Sequence, residues 1–84
     1  MNVKIDTKEK FTVITPQETV LAANMTAELS NLLLENIQKD IRNVILNMAN
    51  VEFIADNIGV LLAFIQQQFY ERNCSFVICN LHEV

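Results

Sequence analysis

The sequence predicts an α/β domain, its elements in the order β-β-α-β-α-β. Three observations lead there. Apolar runs of four or five residues, apolar on both faces, alternate with two longer segments whose apolar residues recur every three or four positions. One glycine and one proline in 84 residues argue against disorder and against a turn-rich all-β chain. Strands that alternate with helices pair mostly in parallel, through right-handed crossovers.

Each element has its own warrant. "NVKID" (residues 2–6) alternates, with Val3 and Ile5 on one face of a half-buried strand. "TKEK" turns the chain. "FTVIT" (11–15) follows as a second strand, and Pro16 ends it because proline has no N–H for the ladder. Residues 16–25 form a connection. Asn24 or Thr26 then caps a helix from Thr26 to about Lys39, with Glu28 placed for a capping box with Met25 or Thr26. Leu29, Leu32, Leu33 and Ile37 make its buried face; Glu28, Asn31, Glu35, Gln38 and Lys39 lie opposite. "DIRN" (40–43) turns into the apolar run "VILNM" (44–48), and "ANVEF" (49–53) leads on. From Asp56 to Arg72 a second helix carries Ile58, Leu61, Leu62, Ile65 and Phe69 on one stripe. "NCS" (73–75) turns into "FVIC" (76–79), a last β-rich run.

This is one domain, residues 1–84, small enough that its stability is marginal. Net charge is −4 with six scattered Lys and Arg, which excludes a phosphate-neutralising nucleic-acid surface. No apolar run approaches the roughly 18 residues of a membrane span, and the N-terminus has no signal-peptide h-region, so direct membrane insertion is not expected and the cytoplasm is the simplest location. In an extended "SFVIC", Cys74 and Cys79 stand about 16 Å apart, too far for a disulfide; both read as free thiols, with Cys79 expected in the core.

Catalytic chemistry is hard to assemble. Phosphate loops need several glycines, and Gly59 is alone. The single histidine, His82, is expected to be solvated, and two cysteines with one distant histidine make no metal site. Glu52 and Asp56 are the one carboxylate pair near a strand end, and a small α/β enzyme would need a deep pocket lined by both. The reading is non-enzymatic, with no cofactor.

At residues 44–62 the chain reads "VILNMANVEFIADNIGVLL". With one residue deleted after Asn57, its apolar positions match a strand followed by Val-Asp-Phe-Ile-Asp-Ser-Ser-Gly-Leu-Gly-Val-Leu-Leu. The chain therefore resembles the STAS domain family of anti-sigma factor antagonists and sulfate transporters. "TAEL" (26–29) resembles that family's first helix start, and "YERNCSFVICNLHEV" (70–84) its helix-to-strand passage. The resemblance implies a one-sided β/α domain that binds proteins, with helices on one face of the sheet. Many members bind an anti-sigma kinase, which phosphorylates the serine or threonine just before the glycine at the second helix's start. A phosphate there alters which surface can dock. Members usually continue with further helices, so "LHEV" (81–84) resembles a first turn cut short and the C-terminal helices are missing. An uncovered edge would invite a homodimer.

The motif itself departs from the pattern. Ala55, Asp56 and Asn57 stand in its place, and no hydroxyl lies between Val51 and Gln68. Counted from Phe53, Asn57 takes the phosphoacceptor position; counted back from Gly59, Asp56 does. Two readings of "ADN" coexist: a helix N-cap contributing about 1 kcal/mol, and a fixed negative charge at Asp56 that imitates part of a phosphate. On a wheel of about 100° per residue, Val60 and Phe64 fall off the core stripe that starts at Ile58, in line with Gln67 and Glu71. They either pack against the neighbouring helix or form an exposed docking patch. The expected partner-binding set is Ala55, Asp56, Asn57, Ile58, Val60 and Phe64. The expected partner is a protein, either an anti-sigma kinase-like protein bound by a bacterial-type regulator or a subunit of a membrane transport complex.

Overall fold

In the computed structural model, which describes residues 1–37 and 43–80, two helices lie against one mixed sheet. β1 (Val3–Thr7) and β2 (Thr12–Pro16) form an antiparallel hairpin, with Val3 opposite Pro16 and Thr7 opposite Thr12. β4 (Asn43–Asn47) pairs in parallel with β2, and β6 (Ser75–Cys79) in parallel with β4, giving the order β1-β2-β4-β6. The expected α/β class and mostly parallel sheet are both present.

The register decides the core. Thr12, Ile14 and Pro16 of β2, Val44 and Leu46 of β4 with the following Met48, and Phe76 of β6 are buried on one face. They meet Leu29 and Leu33 of α1 (Thr26–Ile37) and Ile58, Leu62, Ile65 and Phe69 of α2 (Asp56–Glu71). The Phe69 and Phe76 rings, tilted by 34° with centroids 5.3 Å apart, join α2 to β6. The α2 stripe agrees with the 3.6-residue period, Leu61 being half-buried at its edge.

Several local expectations change. Ile5 shares the core face through its pairing with Ile14 but is 49% exposed, because β1 is the outer edge of the sheet. Cys79 is half-buried rather than in the core: its pairing with Asn47 turns it to the sheet face opposite the helices. Two connecting segments contain further strands, β3 (Val20–Leu21) and β5 (Phe53–Ile54), which pair in parallel as a small second sheet. A 3-10 turn, Ala23–Met25, precedes α1, so Asn24 does not cap it; the Thr26 hydroxyl donates to the Ala23 carbonyl (2.7 Å). Glu28 turns to the Met1 amino group (2.7 Å) instead of closing a capping box. The expected end of α1 past Ile37, the turn at Asp40–Arg42, and the "LHEV" segment with His82 lie outside the described residues.

The end of α2 shows why "NCS" turns. Asn73 adopts φ 58°, the left-handed conformation open to Asn and Gly. Its N–H bonds the Tyr70 carbonyl (3.1 Å) while that of Cys74 bonds Phe69 (2.8 Å), a complete Schellman stop.

Candidate functional site

The stretch between β4 and α2 determines how the helix start is presented. The N–H groups of Glu52 and Phe53 both donate to the Thr19 carbonyl (2.7 and 3.1 Å), and that of Ala55 donates to Leu21 (2.9 Å). These bonds and the β3–β5 pairing hold the chain entering α2. Ala55 is the N-cap, extended at φ −66°, ψ 151°, and it makes no side-chain cap. Its carbonyl receives the N–H groups of Ile58 (2.9 Å) and Gly59 (3.3 Å).

The cap expectation is therefore corrected. Asp56 is the first helical residue, exposed, its carboxylate complementing the helix dipole without capping a backbone N–H. Asn57, one position further in, acts as a donor. Its Nδ2 reaches the Ala23 carbonyl (3.2 Å) and the Thr26 hydroxyl (2.9 Å), tying the start of α2 to the 3-10 turn and to the start of α1. The segment from Val51 to Gln68 has no hydroxyl of its own, yet the fold brings Thr26 against Asn57. Nothing in the sequence spacing of the two residues indicates that contact.

The six expected site residues divide. Ile58 is buried and belongs to the core, so it cannot touch a partner. Ala55 is half-buried; Asp56 and Asn57 are exposed. Val60 is 72% exposed and Phe64 53%, so the alternative in which they pack against the neighbouring helix is overturned. Five further large apolar residues are exposed: Tyr70 on α2, Val20 and Phe53, which are paired across the β3–β5 sheet, Ile5 on β1 and Val77 on β6. Tyr70 was within reach of the helical wheel, which puts it on the outer side about 120° around the helix from Phe64 and one turn past Gln67. Val20 and Phe53 were not, because two-residue strands show no period. Glu52 and Asp56, the carboxylate pair, do not line the cavity the structure shows against α2. That cavity, an open depression of about 320 Å³, lies against Ala63, Gln66, Gln67 and Tyr70.

A family model for the STAS domain matches residues 2–84. This chain belongs to the STAS domain family. STAS domains are generally non-enzymatic regulatory or binding domains, and they commonly mediate protein–protein interactions. No curated protein matches this STAS domain. A solved structure described as "Crystal Structure Analysis of Mglu" is similar in fold, with TM-score 0.81 and 17% identity, over 96% of this chain and 20% of that one. The domain thus spans about a fifth of the length of that chain. Among the described residues, no helix is long and apolar enough to cross a membrane.

Proposed function

We propose that this STAS domain is a non-enzymatic, cytoplasmic regulator that resembles anti-sigma factor antagonists and binds a protein partner through the start and outer face of α2. One observation carries the reading: Val60 and Phe64, apolar and off the core stripe, stand 72% and 53% exposed just past the helix start. Single exposed apolar residues are ordinary, whereas neighbouring ones one turn apart on a rigid helix offer the anchors that protein interfaces use. Free thiols at Cys74 and Cys79 suit a reducing compartment.

The usual phosphorylatable residue is replaced by Asp56 or Asn57. Asp56 then supplies a permanent carboxylate at the docking end of α2, with less charge than a phosphate's roughly −1.5 to −2. The direct test is affinity capture from the native cell with the wild-type chain and with Phe64→Ala, identifying what each retains. The reading expects a discrete protein, an anti-sigma kinase-like one, held by the wild type and lost by the variant at unchanged melting temperature. Identical capture by both chains would remove the α2 face from the function. A transporter subunit in place of a kinase would assign the face to a transport complex. Asp56→Ser and Asn57→Ser test the fixed charge separately: equal kinase binding by wild type and both variants refutes it.

A further inference from the structure

The exposed face of α2 also specifies the chemistry of what covers it. Between Asp56 and Glu71 the helix has no charged residue, and Val60, Ala63, Phe64, Gln67 and Tyr70 all lie on its exposed side. Charge is instead concentrated at one end of the molecule. Glu18 follows β2, Glu52 precedes β5, Glu28 lies in the first turn of α1 and Asp56 opens α2, all at the end where the helices begin. No Lys or Arg occurs from Phe11 to Ile37 or from Asn43 to Glu71. Lys8 and Lys10, in the β1–β2 turn, and Arg72, ending α2, lie at the opposite end. Among the described residues this pole therefore holds four carboxylates against one cation, the Met1 amine. Met1 holds Glu28, while Glu18, Glu52 and Asp56 make no ion pair among the described residues.

We propose that the outer face of α2 receives an amphipathic helix of a partner protein, with its apolar side on Val60 and Phe64, Tyr70 at the margin, and its Lys or Arg residues over the acidic pole. This rests on the docking face proposed above and adds the partner's charge pattern. The spacing follows from helix rise: Phe64 is eight residues from Asp56, so the cations lie about 12 Å, or two turns, from the central apolar anchor. A groove-docked helix with such anchors is a common recognition mode, and complementary charge sets its direction and speeds its arrival. A second copy of this chain fits poorly. Two antiparallel α2 helices would set the Asp56 of each against Glu71 and Arg72 of the other, a pair with no net charge, and two parallel ones would set Asp56 against Asp56; neither brings a cluster of cations over the acidic pole.

The test uses the full chain and three synthetic peptides of about 18 residues, long enough to span α2. One has leucines at i, i+3, i+4 and i+7 with lysines clustered at one end. The second is a scramble of equal composition, and the third carries glutamate for lysine. Fluorescence anisotropy is read at about 50 and 300 mM salt, on either side of a Debye length near 10 Å. The ordered cationic peptide is expected to bind at least about tenfold more tightly than either control, a difference of one decade in Kd. Phe64→Ala, whose folding is checked by its melt, should lose about tenfold, and a Glu18→Gln, Glu52→Gln, Asp56→Gln variant should lose most of the salt dependence. Equal binding of scramble or acidic peptide, or indifference to the triple neutralisation, overturns the charge pattern. If Phe64→Ala still loses its native partner in that case, the docking face itself survives. Indifference of peptide binding to Phe64→Ala overturns the inference at its apolar anchor.

Discussion

The contact between Asn57 and Thr26 makes a sharp prediction, because it joins the presented helix start to the rest of the fold through side chains alone. Asn57 Nδ2 donates two hydrogen bonds, to the Thr26 hydroxyl (2.9 Å) and the Ala23 carbonyl (3.2 Å), and the Thr26 hydroxyl itself donates to the Ala23 carbonyl (2.7 Å). All three are neutral and exposed, so each belongs near the low end of the 0.5–1.5 kcal/mol range, about 0.5. Asn57→Ala removes two of them and gains some helix propensity; Thr26→Val removes two and keeps the branched shape. Each single change should therefore cost about 1 kcal/mol or slightly less. The bond they share would be lost twice in the sum and once in the double variant. The double variant should thus be more stable than the sum by about 0.5 kcal/mol, and the cycle cancels the propensity difference. Urea unfolding followed by far-UV circular dichroism measures this, provided the slope is unchanged across the four proteins. Additivity within about 0.3 kcal/mol would refute the contact as a link between the helices.

Three other outcomes follow from single positions. Thr12 is 1% exposed, and its Oγ1 meets no hydrogen-bond partner among the described residues, so Thr12→Val should raise stability by about 1 kcal/mol, or roughly 4–8 °C in Tm for a domain of this size; a fall in Tm would mean the hydroxyl is satisfied. Gly59 sits inside α2 with open space where a Cβ would point, so Gly59→Ala should add about 0.5–1 kcal/mol, and calorimetry showing no gain would contradict that geometry. The Met1 amine, hydrogen-bonded to Glu28 and drawn by its charge, has its pKa raised above 8.0. For a chain beginning at this amine, its contribution to stability is complete below about pH 8 and is lost as pH rises through the raised value, so Tm should fall further on that rise in wild type than in Glu28→Gln.

Much of this architecture could be read in the sequence because burial imposes a period. Ile58, Leu62, Ile65 and Phe69 recur at helical spacing, and their four buried side chains confirm the stripe. The runs "VILNM" and "FVIC" became adjacent parallel strands because apolar residues on successive positions need a sheet to bury them. What escaped had no period. β3 and β5 are two residues each, fixed by backbone bonds to Thr19 and Leu21 that any sequence could make. Asp56 had the chemistry of a cap, yet the backbone placed Ala55 there and moved Asp56 one position into the helix. The ten asparagines, unassigned from sequence, acquire uses once the fold is formed. Asn43 reaches back to the Lys10 carbonyl (2.9 Å), Asn80 joins Asn47 across the ends of β6 and β4 (2.9 Å), and Asn73 and Asn80 take the left-handed backbone that a chain with one glycine must obtain elsewhere.

The two faces of α2 show how site and scaffold are kept apart. A helix lying on a sheet ordinarily carries charge on its solvent side, where Lys and Glu one turn apart add stability and keep copies from associating. α2 has none from Asn57 to Tyr70, although its outer positions are free to carry it: Val60, Ala63 and Gln67 are all exposed. Stability of the isolated domain does not require that choice, since the buried stripe is complete without it. An uncharged outer face beside an acidic pole is costly for solubility but suited to contact. The core-facing stripe fixes where α2 lies, Asn57 fixes how its start is held, and the outer stripe is left free for a surface that brings its own cations.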